Sequence, residues 1–136
     1  MSKAIMYACI YTDCEKTSIS FYTQLLGYVL QEDLSFGTEE HWWILRKVDQ
    51  GETGLILIKI TSNNHNKNTL IINVDDCILE YCKVKEIHIK DLSEPSYSPI
   101  GLSFNFYDPS GNKVVILEER KYNDKNIYIT NNGKLF

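Results

Sequence analysis

Catalysis needs particular side chains at particular spacings, and the histidines are the first to ask about. His41, His65 and His88 stand far apart, and no H-x-x-H or H-E-x-x-H pairing is present. His41 opens a predicted strand beside Trp42-Trp43, His65 lies in a polar run, and His88 falls in a short predicted strand. Each reads as a surface or locally hydrogen-bonded imidazole. The cysteines Cys9, Cys14, Cys77 and Cys82 form no C-x-x-C pair, so reduced thiols packed as small hydrophobes are expected. No serine sits in G-x-S-x-G and no cysteine has a recognisable histidine partner, which leaves nucleophilic catalysis without a candidate. Asp75-Asp76 imitates an acidic pair, but it stands just before a predicted helix, where N-capping accounts for it. Asp108 belongs to the turn DPSGN, shaped by Pro109, Gly111 and Asn112, and Tyr22 reads as helix-to-sheet packing.

The elements that would position these groups come in a repeating order. Met6 to Thr12 alternates and is rich in strand formers; Thr12 and Asp13 are N-cap types, and Thr12 with Glu15 makes a capping box. A helix is predicted from Cys14 to Leu26, with Ile19, Tyr22, Leu25 and Leu26 as its buried stripe and Gly27 at its left-handed end. Strands follow at Tyr28 to Asp33, His41 to Val48 and Leu55 to Ile60. The polar segment Thr61 to Asn68 is the plainest loop in the chain. The order then restarts. A strand at Thr69 to Val74 precedes a helix capped by Asp75 and Asp76, and strands follow at Glu86 to Lys90, Leu102 to Tyr107 and Lys113 to Glu118. Neither half is large enough to bury its sheet alone, so one domain of two packed modules is expected, about 4–60 and 69–119, with a polar tail 120–136.

At 136 residues with 43% hydrophobic and 24% charged side chains, the chain has the size and composition of one globular domain. A net charge of −4 excludes general electrostatic attraction to nucleic acid and suits a neutral or cationic small ligand. No apolar run approaches the roughly 20 residues that span a bilayer. The N-terminal residues lack a signal-peptide pattern, so a cytoplasmic location without membrane association is expected.

The stretch YTDCEKTSISFYTQLLGY resembles the first strand-helix passage of the vicinal oxygen chelate superfamily, which includes glyoxalase I, extradiol dioxygenases and bleomycin resistance proteins. The likeness rests on Asp13, Ser18, Phe21-Tyr22 and Leu26-Gly27, and DPSGNKVVILEE is similar to the closing motif of that family. The resemblance implies an α+β fold of two paired βαβββ modules, forming a curved mixed-sheet cup with helices on the outer face. It also implies a homodimer. Metal-using members present four His or Glu ligands, and the matching positions here are Met6, Leu57 (or Lys59 after a shift), Thr69 and Val115. These side chains cannot assemble an oxygen-nitrogen site for a divalent ion, so no metal and no cofactor are expected.

Period-two alternation puts Met6, Ala8, Ile10, Val115 and Leu117 on the concave side, joined by Thr69, Ile71, Asn73, Ser103, Asn105 and Tyr107. One of Trp42 and Trp43 must face the cup, because neighbouring strand residues point opposite ways. The candidate ligand-binding set is therefore Met6, Ile10, Trp42, Trp43, Leu57, Thr69, Asn73, Asn105, Tyr107 and Val115. The expected function is metal-independent binding of a small organic ligand, aromatic or cationic, in the manner of an antibiotic- or metabolite-sequestering protein. Two alternatives stand beside it. One is a metal-independent isomerase or lyase using Tyr107 or Lys113; the other is a closed cup acting through its surface.

Overall fold

The computed structural model describes residues 3–37, 39–48, 52–61 and 66–121. His65 and the tail beyond Lys121, with its Ile127-Tyr128-Ile129, lie outside the described residues. The element order is β1 (Tyr7–Thr12), α1 (Glu15–Leu26), β2 (Val29–Phe36), β3 (Glu40–Arg46), β4 (Gly54–Lys59), β5 (Thr69–Asn73), α2 (Cys77–Glu86), β6 (Ser96–Ser98), β7 (Gly101–Tyr107) and β8 (Lys113–Glu119). Each half is thus a βαβββ module, and the fold class is α+β. The strands form two four-stranded sheets, ordered β1-β4-β3-β2 and β5-β8-β7-β6. In each, the outer pair β1–β4 or β5–β8 is parallel and the remaining pairs are antiparallel.

Two compact units result. The first is Met1–Asn68 together with Asp108–Asn112, and the second is Thr69–Tyr107 with the chain from Lys113 onward. The turn between β7 and β8 therefore belongs, by its contacts, to the first unit.

In the first unit the helix-facing side of the sheet carries Ile10, Trp43, Leu45, Leu55 and Leu57, all buried, and α1 lays Ser18 and Tyr22 into the packing. Full burial of an aliphatic or aromatic side chain of this kind contributes about 1.5–3 kcal/mol. The predicted capping box does not form. Cys14 is the N-cap and its side chain makes no capping bond, while the Thr12 hydroxyl turns inward to meet Ser18 Oγ at 2.6 Å. A buried hydroxyl with a partner at hand does better there than at a solvated helix end. Gly27 closes the helix at φ 75°, as the sequence implies.

In the second unit α2 covers Leu70, Leu102, Phe104, Phe106, Val114 and Ile116, and Tyr81 meets Phe104 edge-on at 5.4 Å. Asp76 caps this helix by accepting from the Leu79 N–H. The Glu118 carboxylate accepts from the Cys77 N–H at 3.0 Å, and that bond, with Arg120 beside it, holds the carboxyl below its usual range. One expected strand is absent. Residues 86–90 are not a strand, because α2 continues to Glu86 and His88 takes a left-handed φ of 55°. The strand at this edge is Ser96–Ser98, paired with Gly101–Ser103.

Candidate functional site

The buried network around Asp108 joins the N-terminal strand-helix passage to the DPSGN turn. Tyr22 Oη donates to Asp108 Oδ2 at 2.7 Å, and Asn112 Nδ2 donates to the same oxygen at 2.9 Å. The backbone N–H groups of Ser110 and Asn112 donate to Oδ1 at 2.9 and 2.8 Å. Asn112 also donates to the Tyr11 carbonyl at 3.0 Å, and Ser110 Oγ donates to Asp13 at 2.7 Å. Four donors satisfy a carboxylate that is 5% exposed. Burial, and then the Asp108 charge, push the Tyr22 phenol far above its ordinary range, so it remains a neutral donor. Asp108 is a structural anchor with no open side for a substrate.

Candidate ligand surfaces lie on the sheet faces turned away from the helices. In the first unit the Thr12–Ser18 contact fixes which face is which. Because Thr12 faces α1, so do Ile10 and, through cross-strand pairing, Leu57 and Trp43. Ile10 and Leu57 are therefore core residues, buried at 1% and 0%, and not part of a concave surface. Met6 precedes β1 and is 62% exposed. This reverses the expected face for the first sheet: the side opposite α1 carries Tyr7, Cys9, Tyr11, Trp42 and Ile58 together with the buried pair Ile44 and Ile56. Trp42 is the outward indole, packed edge-on against Phe36 at 5.1 Å, with Leu34 as its cross-strand neighbour. At the other end of this face the Arg46 guanidinium lies over the Tyr7 ring at 4.7 Å and its Nε donates to Tyr7 Oη at 3.2 Å. Gly54 lies between those two residues, and a Cβ there would come within 2.9 Å of the Tyr7 ring.

In the second unit alternation gives the expected face. Thr69, Asn73, Asn105, Tyr107 and Val115 all lie on the side opposite α2, with Ile71 between the first two. Thr69, Ile71, Asn73 and Tyr107 are exposed, and Asn105 and Val115 half-buried. Tyr107 pairs in register with Lys113.

On the first sheet the outward residues nearest to Met6 and Leu57 are Tyr7, Ile56 and Ile58, and on the second they are Thr69 and Val115. Aliphatic and hydroxyl side chains do not make a site for a hard or borderline ion, and the Tyr7 oxygen already accepts from Arg46. Among the described residues no group of three or more His, Cys, Asp or Glu is placed to hold a metal ion. The donor set does not fit.

A family model described as the Glyoxalase/Bleomycin resistance protein/Dioxygenase superfamily matches residues 5–116. The chain belongs to this superfamily. A curated relative, the uncharacterized protein YetH of Bacillus subtilis strain 168, is 26% identical over 123 residues, covering 88% of this chain and all of that protein. The antibiotic binding protein TnmS3 from Streptomyces sp. CB03234 superposes with a TM-score of 0.74 at 18% identity, covering 88% of this chain and 98% of the other. The trypanothione-dependent glyoxalase I of Leishmania major gives 0.68 at 17% identity, covering 96% and 94%. Superfamily neighbours thus include both a binding protein and an enzyme. No helix among the described residues is long and apolar enough to cross a membrane.

One cluster escaped the sequence reading. Asp33 and His41 form a hydrogen-bonded pair across the β2–β3 hairpin, and the His41 ring stacks on Trp43 at 4.2 Å with the planes 10° apart. The residues are eight apart, a spacing that becomes meaningful only once the hairpin register is known.

Proposed function

We propose that the protein is a metal-independent binder of a small organic molecule, of the bleomycin-resistance kind, holding an aromatic ligand without transforming it. The observation that carries this reading is the outward face of the first sheet. There Trp42, Phe36 and Leu34 form an accessible apolar step, with Phe36 at 44% and Leu34 at 39% exposure. Large apolar side chains grouped with a few polar groups are the usual composition of an organic-ligand surface. Tyr11 extends the same row. In the second unit Thr69, Asn73, Asn105, Tyr107 and Val115 offer a corresponding surface of hydroxyl, amide and aliphatic groups. The likeness to an antibiotic binding protein supports a bulky natural product as the ligand class. A homodimer, as the family resemblance implies, in the cytoplasm completes the reading.

The test uses Trp42 as reporter. In a Trp43→Phe variant, titration with daunorubicin, a planar cationic antibiotic, is expected to quench the single tryptophan in a saturable manner at micromolar concentration. Quenching that stays linear with drug up to its solubility would count against a stacking surface at Trp42.

A further inference from the structure

We propose that the first unit carries a second binding site, on the helix-facing side of its sheet, that takes an aliphatic α-amino acid as a zwitterion. A cleft of about 350 Å³ opens between the first turns of α1 and the strands β2, β3 and β4. That volume falls at the lower end of the range for small-molecule pockets, about 300–1,000 Å³. It lies on the opposite side of the sheet from Trp42, so it is independent of the surface assigned above.

The lining has two parts. Ile19, Leu30 and Trp43 provide the apolar part. The charged part holds two cations, Lys16 and Lys59, and two carboxylates, Glu15 and Asp33. Asp33 is engaged by His41, whose ring stacks on Trp43, which leaves Glu15 as the carboxylate turned to a ligand. A ligand with only a negative charge would meet Glu15, and one with only a positive charge would meet both lysines. A dipolar ligand meets neither penalty: its carboxylate faces Lys16 and Lys59, and its ammonium faces Glu15. The apolar surface of Ile19 and Leu30 then receives a branched aliphatic side chain.

Isothermal titration calorimetry on the full chain separates the possibilities. The probes are L-leucine, 4-methylpentanoate (no ammonium) and isoamylamine (no carboxylate). L-Leucine is expected to bind, and each truncated probe to bind at least tenfold more weakly. Lys59→Met and Lys16→Met are each expected to weaken L-leucine at least tenfold, Lys16→Met with an unchanged thermal midpoint, since that lysine is exposed. Trp42→Ala, on the other face, is expected to leave L-leucine binding unaltered. Three results would overturn the proposal: no heat from L-leucine at 10 mM, equal binding of 4-methylpentanoate, or full L-leucine affinity in both lysine variants.

Discussion

Asp108→Ala is expected to lower the unfolding free energy by about 4 kcal/mol or more, measured as a shift of the urea midpoint at unchanged slope. The size follows from what is left behind. The carboxylate accepts from the Tyr22 hydroxyl, two backbone N–H groups and the Asn112 amide. Its removal leaves several buried donors unsatisfied at about 1–3 kcal/mol each, partly offset by water entering the space. Tyr22→Phe removes one donor and leaves the other three, so a smaller loss of about 1.5–3 kcal/mol is expected. The pair of variants should also be non-additive, because both act on one bond. An Asp108→Ala protein within 1 kcal/mol of the parent would contradict an anchoring role and reopen Asp108 as a functional group.

The two adjacent tryptophans are expected to behave in opposite ways. Trp43 is 5% exposed and lies among Ile10, Leu57 and the His41 ring, so Trp43→Ala should cost about 3–5 kcal/mol through the cavity it leaves. Trp42 is half-buried, donates from Nε1 to Glu40 at 3.3 Å and touches Phe36. Its replacement by alanine should cost about 1 kcal/mol, in the range typical of substitutions outside the core. The same change should remove daunorubicin binding. Urea denaturation of the two variants beside the drug titration separates packing from recognition. A large stability loss in Trp42→Ala would mean that the indole is part of the core and that the apolar step is not a ligand surface.

Much of this fold is legible in the sequence, and the reason differs between the two sheets. In the second, large aliphatic and aromatic residues such as Leu70, Phe104 and Val114 alternate with a face that carries Thr69, Asn73 and Asn105, so the more apolar face is the one that meets the helix. In β1 the two faces are Tyr7, Cys9, Tyr11 and Ala8, Ile10, Thr12, and neither is plainly polar. Period-two reasoning yields two faces there without saying which one meets the helix. Counting back from Asp13 gives Met6 as the first ligand position and alternation adds Ile10 to its side, whereas the structure turns Ile10, and Leu57 with it, toward α1. The deciding contact is Thr12 to Ser18, which the expected capping role for Thr12 concealed. The Asp33–His41–Trp43 cluster was hidden for another reason, since a cross-hairpin pair depends on a register set by the turn. The segment 86–90 misled because Ile87 and Ile89 alternate like a strand, while Ile87 is in fact a solvent-exposed helix end.

The metal-independent reading rests on the outward residues of the two sheets. In place of Met6 and Leu57 stand Tyr7, Ile56 and Ile58, and Thr69 and Val115 face outward on the second sheet. Native mass spectrometry of freshly purified protein, before and after dialysis against equimolar zinc, nickel or manganese, tests this most directly. The expected spectrum shows no stoichiometric divalent metal in any preparation, with an organic adduct on part of the population before dialysis. One tightly held divalent ion per chain, removed by a chelator and regained on dialysis, would contradict the metal-independent reading.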